Sequence, residues 1–142
     1  MMNYRVIICD PRESDIDKSV FDGCEIVKSM PDDAVQTWAN HTRCIVVALT
    51  HDPKLDDMAL FDALSSPAFY VGAIGSRLNC EKRRERLGTL GVTAQQLQGL
   101  RAPVGIPIGS HLPPEIAVSI MAEITKLRHQ AKQNSQHAIN IA

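Results

Sequence analysis

Aromatic residues are scarce: six in 142, or 4%. They are not interleaved with basic residues, so the chain has no stacking platform for nucleic acid, and binding to it is not expected. Charge of one sign is lacking as well. Lys and Arg number 15 against 16 Asp and Glu, a formal net charge of −1, so no global field draws the protein to nucleic acid or to an anionic membrane. The longest apolar runs, such as residues 44–49 and 68–74, fall far short of the roughly 20 residues of a spanning helix. A signal peptide is not expected, because Asp10, Arg12 and Glu13 interrupt the opening segment, and the expected location is the cytoplasm. Cys9, Cys24, Cys44 and Cys80 form no CxxC pair and no Cys/His group at zinc spacing, so they read as free thiols and no metal site is expected. Cys80 alone lies in a basic stretch able to lower its pKa. Also missing are a Gly-x-Ser-x-Gly elbow, a Walker loop and a Gly-x-Gly-x-x-Gly turn.

What is present suits one domain. At 15.6 kDa and 44% hydrophobic, the chain can bury a single core, expected over residues 1–129 with a polar tail over 130–142. Residues 5–9 (RVIIC), 43–49 (RCIVVAL) and 68–74 are continuous apolar runs that read as buried strands, and 25–28 as a weaker one. Between them lie helical patterns. One opens at Pro31 with Asp32 and Asp33 in its first turn, another spans 55–64, and a charged one spans 78–87. Thr93 and Gln96 form a capping-box pattern before a short helix, and residues 103–110 read as a glycine and proline loop. Pro113 then opens a long helix with a stripe of Ile116, Ile120, Ile124 and Leu127. Strands buried on both faces and alternating with helices predict an α/β fold with a doubly wound parallel sheet in three αβα layers.

In such sheets ligands bind beyond the carboxyl ends of the strands. Four segments there carry the candidate residues. Asp10 and Arg12 close the first strand, where Asp10 can accept hydrogen bonds from a ribose diol or serve as a turn or cap residue. His51, Asp52 and Lys54 gather after the 43–49 strand, able to hold a polar ligand or to begin an acidic helix, with Asp56 and Asp57 assigned to capping. Gly72, Gly75, Ser76 and Arg77 pass from strand to helix. Glycines there allow close backbone approach, free helix N–H groups attract an anion, and Arg77 can grip two oxygens; a tight turn with Arg77 merely exposed is the plainer alternative. Gly105 and Gly109 lie in a loop able to close over a ligand. The basic run of Lys82, Arg83, Arg84 and Arg86, interleaved with Glu81 and Glu85, reads as a solvated helix face.

Taken in order, the segments DPR at 10–12, LTHDPKLDD at 49–57, YVGAIGSR at 70–77, PVG at 103–105 and PEIAVSI at 114–120 resemble the C-terminal Rossmann-like domain of the XdhC/CoxI family. These are accessory factors of xanthine dehydrogenase and related molybdenum hydroxylases. The resemblance extends from about Val6 to Leu127. It implies binding of the molybdenum cofactor (molybdopterin), protection of it during sulfuration, and delivery into a hydroxylase such as xanthine dehydrogenase. A cysteine desulfurase, a separate N-terminal accessory chain and a second copy of the chain are the further partners it suggests.

Two departures from the family follow. Family members begin this domain with an additional strand and glycine-rich turn, which the chain lacks at Met1. The missing unit would be the central strand, so an unpaired edge or a gap in the sheet is expected, compensated by a partner chain, by strand exchange or by disorder near the N-terminus. Leu112 stands where the family has a Thr before the last helix, removing an N-cap oxygen that Ser110 is expected to recover in part. An NAD(P)-dependent oxidoreductase with Asp10 on the ribose is the alternative from the enzyme class, weakened by the absent glycine fingerprint, and one half of a split accessory factor with no autonomous activity is the other. No catalytic nucleophile is evident, and a carrier outranks an enzyme.

Overall fold

The computed structural model describes residues 3–12 and 21–139. Its elements follow the order β1 (Ile7–Cys9), β2 (Glu25–Val27), α1 (Pro31–Trp38), β3 (Ile45–Ala48), α2 (Pro53–Ser65), β4 (Tyr70–Ala73), α3 (Arg77–Thr89), α4 (Ala94–Gln98), β5 (Leu100–Arg101) and α5 (Pro113–Ile139). All three strand pairings are parallel, and they fall into two sheets: β1 with β2, and β3-β4-β5 with β4 in the middle. The break expected from the family comparison is therefore present. Among the described residues no ladder joins β1 to β3. None of the described helices is long and apolar enough to cross a membrane.

The alternation of side chains along a strand sorts the apolar residues into two cores. On one face Ala48, Val71 and Ala73 pack with Val35 of α1 and Leu60 and Ala63 of α2, reaching Leu87 at the end of α3. On the other face Ile45, Val47 and Tyr70 meet Ile120 and Ile124, with Ile116 and Leu127 beside them, so the expected stripe of α5 is the face that covers the sheet. These are the three layers of the αβα arrangement. Burial grades across the sheet as its topology demands: β4, flanked on both sides, is buried at every position, whereas Ile45, Val46 and Val47 of β3 are only half-buried.

The ends of the elements follow local chemistry. Pro31 and Pro53 open α1 and α2, where a missing N–H costs nothing. Thr93 and Gln96 make the expected capping box at α4. Strand β5, two residues long, was not anticipated; it exists because Leu100 and Arg101 extend against Val71 and Gly72. Helix α5 also continues beyond Gln130, to Ile139, where a tail was expected, although residues 129–134 are exposed. At its start the N-cap expectation needs correction. Ser110 is not the substitute; the Glu115 carboxylate reaches back to accept the N–H groups of His111 (3.1 Å) and Leu112 (3.2 Å). Those two donors hold the Glu115 pKa below its ordinary value.

Candidate functional site

The loops that follow β3 and β4 are held together from beneath by buried charges. Asp56, in the first turn of α2, accepts the Thr50 N–H at 3.2 Å through Oδ1 and the Arg83 guanidinium at 2.7 Å through Oδ2. Arg83 in turn donates to the Ile74 carbonyl at 2.9 Å and to Asp57 at 3.2 Å, and Arg86 closes the set on Asp57 at 2.6 Å. One guanidinium thus fixes the carboxyl end of β4, and its carboxylate partner fixes that of β3. Two expectations are overturned here. Asp56 and Asp57, expected to serve in capping, are buried ion-pair partners while Asp52 is the cap, and Arg83 is 6% exposed, not part of a solvated face. Arg84 likewise turns inward, donating to the carbonyls of Leu97 (2.6 Å) and Leu100 (2.8 Å). The readable signal was the match between an acidic pair on one helix and arginines three residues apart on the next.

On the loop so fixed, Gly75 has φ +153° and a Cβ there would sit 3.2 Å from Cys80 Sγ, so the turn into α3 requires glycine. Ser76 is the N-cap, its Oγ accepting the Asn79 N–H at 3.2 Å. The N–H groups of Arg77 and Leu78 are left without an acceptor among the described residues, at the positive end of a 13-residue helix. Arg77 itself is exposed, and its guanidinium makes no hydrogen bond or ion pair with any described residue. It differs in this from Arg83, Arg84 and Arg86 on the same helix.

The β3 loop presents His51 exposed and likewise without a described partner. Asp52 caps α2, accepting the Lys54 N–H at 2.9 Å, while its own backbone is braced by the Thr50 hydroxyl at 2.9 and 3.0 Å. Lys54 lines an open groove between α1 and α2 together with Asp32, Gln36, Met58 and Phe61. At the end of β1, Asp10 accepts three hydrogen bonds from Arg12, at 3.0 Å from its N–H and at 2.8 and 2.7 Å from its guanidinium. This is the turn arrangement, and it engages both carboxylate oxygens. The Arg12 guanidinium beside it holds the Asp10 carboxyl below the usual range. Asp10 first, and Asp52 to a lesser degree, raise the pKa of Arg12. The β1 and β3 loops therefore lie within electrostatic reach of each other.

The remaining glycines differ in what surrounds them. A Cβ on Gly72 would lie 2.7 Å from Val104 Cγ2 and 2.8 Å from Tyr70 Cε1, so this position accommodates a neighbouring loop and leaves no room for a ligand. Gly105, at φ +92°, packs directly on Ser119 of α5, and its N–H donates to Glu123 at 2.9 Å. The same Glu123 oxygen accepts the Tyr70 hydroxyl at 2.6 Å. Together these bonds hold the loop of Val104 and Gly105 against the sheet. Gly109 faces open space. Tyr70 and Glu123 were not singled out as site residues in the sequence, and Arg83 was read there only as part of a solvated helix face. Cys80, whose thiol was singled out, behaves contrary to expectation: burial pushes its thiol pKa up, outweighing the Arg83 and Arg84 charges that would lower it.

Comparison with known proteins agrees with this architecture. The family model described as the XdhC Rossmann domain matches residues 1–124. The molybdenum cofactor insertion chaperone PaoD of Escherichia coli is 31% identical over 94 residues, 66% of this chain and 30% of that protein. The uncharacterized protein YqeB of the same organism is 34% identical over 76 residues, 54% of this chain and 14% of that one. A crystal structure described as a xanthine dehydrogenase from Bacillus halodurans superposes with a TM-score of 0.77 at 28% identity, covering 93% of this chain and 39% of the other. The chain thus spans less than half the length of each of these relatives.

Proposed function

The chain belongs to the XdhC family, matched over residues 1–124 by the model of its Rossmann domain, and from that premise we propose that it binds the molybdenum cofactor and assists its insertion into a molybdenum hydroxylase. The observation that carries this reading is the guanidinium of Arg77, without a partner among the described residues, at the start of α3 on a loop tied at Ile74 by Arg83. Molybdopterin is an anionic heterocycle bearing a phosphate. Arg77 can pair with two phosphate oxygens, and the N–H groups of Arg77 and Leu78, which have no acceptor among the described residues, complement the same charge. The residues present therefore fit the phosphate end. His51, on the neighbouring loop, supplies a donor or acceptor for the polar ring system, and Ser76 and Asp52 shape the two loops as helix caps. Gly105 anchors its loop on Ser119 and Glu123, and Gly109, which faces open space, belongs to the part of it that would cover the ligand.

In this reading the protein is a carrier. It supplies binding and exclusion of water to a cofactor that is its cargo, protects it during sulfuration by a cysteine desulfurase, and hands it to a hydroxylase of the xanthine dehydrogenase kind. The PaoD resemblance supports the insertion role. The alternative of NAD(P) binding has less support, since Asp10 already accepts three hydrogen bonds from Arg12.

The test is direct. Purified protein is denatured and oxidised, and the supernatant is read for pterin fluorescence; in parallel, isolated molybdenum cofactor, NAD and NADP are titrated against the apo-protein. Retained pterin and saturable cofactor binding are expected. Binding of NAD or NADP with no response to the cofactor would replace this reading with the oxidoreductase one.

A further inference from the structure

Helix α2 carries apolar residues on two faces. Ala59, Leu60 and Ala63 enter the core, whereas Met58 and Phe61 remain 36% and 39% exposed. The exposed pair lines a groove of about 540 Å³ between α1 and α2, and Leu90, just past α3 and 60% exposed, lines it too. Single exposed apolar side chains need no explanation, but several gathered in one groove rimmed by polar groups mark a surface that a partner covers. The charges along this groove do not balance. Asp57 is matched by Arg83 and Arg86, and Asp62 accepts Gln36 Nε2 at 2.8 Å. Asp32 forms no ion pair with any described residue, although Lys54 lines the same groove, and its Oδ1 is buried with no hydrogen-bond donor among the described residues. As a first-turn residue Asp32 complements the dipole of α1, yet that supplies no donor to the buried oxygen. A carboxylate oxygen withdrawn from water without a donor is costly. With Asp32 and Asp62 facing one lysine, the groove keeps a surplus negative charge.

We propose that this groove docks an amphipathic helix of a partner polypeptide, with large apolar side chains seated on Met58, Phe61 and Leu90 and a lysine or arginine donating to Asp32. The inference is independent of the cofactor reading. Charge selects the partner. Nucleic acid, an anionic membrane or an acidic peptide is repelled by the surplus negative charge, whereas a basic side chain removes it and supplies the missing donor. A small hydrated cation would answer Asp32 but leave three large apolar side chains in water, so the occupant must be apolar and basic at once. Shape selects a segment of polypeptide. From Lys54 to Asp62 the α2 wall runs about 12 Å, the length of about two helical turns and more than one side chain covers. A third helix laid against a packed pair fits such a trough through residues three and four apart. Met58 suits it further, because a flexible thioether adapts to whatever side chain is placed on it.

The experiment titrates the purified 142-residue protein against fluorescein-labelled, alanine-based helical peptides and reads anisotropy. One peptide bears leucines and arginines along one face. In the first control glutamates replace the arginines, and in the second serines replace the leucines. Only the leucine-arginine peptide should bind saturably, with an affinity that falls as salt is raised. Asp32→Asn and Phe61→Ser should each weaken binding by about tenfold. Lys54→Ala, which removes a like charge from the groove, should strengthen it. Urea midpoints of the three variants are measured alongside, so that lost fold is not read as lost binding. No binding of the leucine-arginine peptide at about 1 mM, or equal affinity in the wild type and Asp32→Asn, overturns the proposal. A wild-type dimer that Phe61→Ser dissociates overturns it as well, since a second copy then covers the groove.

Discussion

Arg83 and Asp56 meet at 2.7 Å with 7% and 1% of their side chains exposed, and between them they bind the ends of two adjacent strands. A buried pair of this kind stabilises the fold less than its geometry suggests, because both charges are desolvated. Removing one partner is costly, since the other is left buried and uncompensated. Arg83→Ala is expected to lower the unfolding free energy by about 3–5 kcal/mol. A urea titration measures it. A loss under about 1 kcal/mol, the value of an exposed pair, would show the site is wetter than its burial indicates.

Tyr70 gives a pH signature. Burial first, and then Glu123, raise the pKa of its hydroxyl above the ordinary value near 10. The folded state therefore holds a proton that the unfolded chain releases as pH rises through about 10. The stabilisation is complete below that pH and is lost progressively above it. Unfolding free energy should fall more steeply above about pH 10 in the wild type than in Tyr70→Phe, which has no proton to lose. At neutral pH the same substitution should cost about 1.5–3 kcal/mol, the range for a hydrogen bond to a charged group. Parallel pH curves for the two proteins would remove Tyr70 as the cause.

Periodicity made most of this fold readable. The strands around Ile45–Ala48 and Tyr70–Ala73 announced themselves as continuous β-branched and apolar runs, and the stripe on α5 as a repeat of isoleucines. The break beside β3 was anticipated from the family pattern. The site was less legible, because what distinguishes its arginines is not local. Arg77 and Arg83 are six positions apart on one helix, yet one has no partner among the described residues and the other is sealed against Asp56. Only the packing of α2 on α3 decides which is which. Gly72 shows the same limit: its need for glycine comes from Val104, more than thirty residues away in sequence.

That crowding makes Gly72 testable. A methyl group placed 2.7 Å from Val104 Cγ2 and 2.8 Å from Tyr70 Cε1 must displace a side chain in a core buried on both faces. Gly72→Ala should destabilise by about 1–3 kcal/mol, the usual cost of overpacking. Combining it with Val104→Ala, which removes the obstructing methyl, should recover part of the loss, and a double-mutant cycle in urea reads the coupling. Strict additivity would locate the strain elsewhere.

Glu115 offers a local titration. It is exposed, and the N–H groups of His111 and Leu112 hold its pKa down, so the folded state releases this proton more readily than the unfolded chain. The contribution is present above the ordinary glutamate pKa and disappears as pH falls below it. In NMR spectra the His111 and Leu112 amide shifts should titrate together, with a midpoint below that of an unperturbed glutamate. Glu115→Gln should abolish the shared titration while leaving α5 in place, because Ile116, Ile120 and Ile124 anchor it. Two different midpoints would mean the carboxylate does not serve both donors.

Arg77 separates the ligand site from the scaffold. Its guanidinium has no described partner, so Arg77→Ala should leave the urea midpoint nearly unchanged, as exposed substitutions do. Binding should respond differently. If the side chain grips two oxygens of a phosphate, Arg77→Lys keeps the charge but loses the planar fork, and should fall between wild type and Arg77→Ala in affinity. If Arg77 acts only through its charge, lysine should restore binding in full at low salt. Titrating the three proteins with isolated molybdenum cofactor at two ionic strengths distinguishes these cases. Equal affinity in all three would remove Arg77 from the site, leaving the N–H groups at the start of α3 to be tested by substitution of Ser76, whose Oγ caps Asn79 at 3.2 Å and orients that turn.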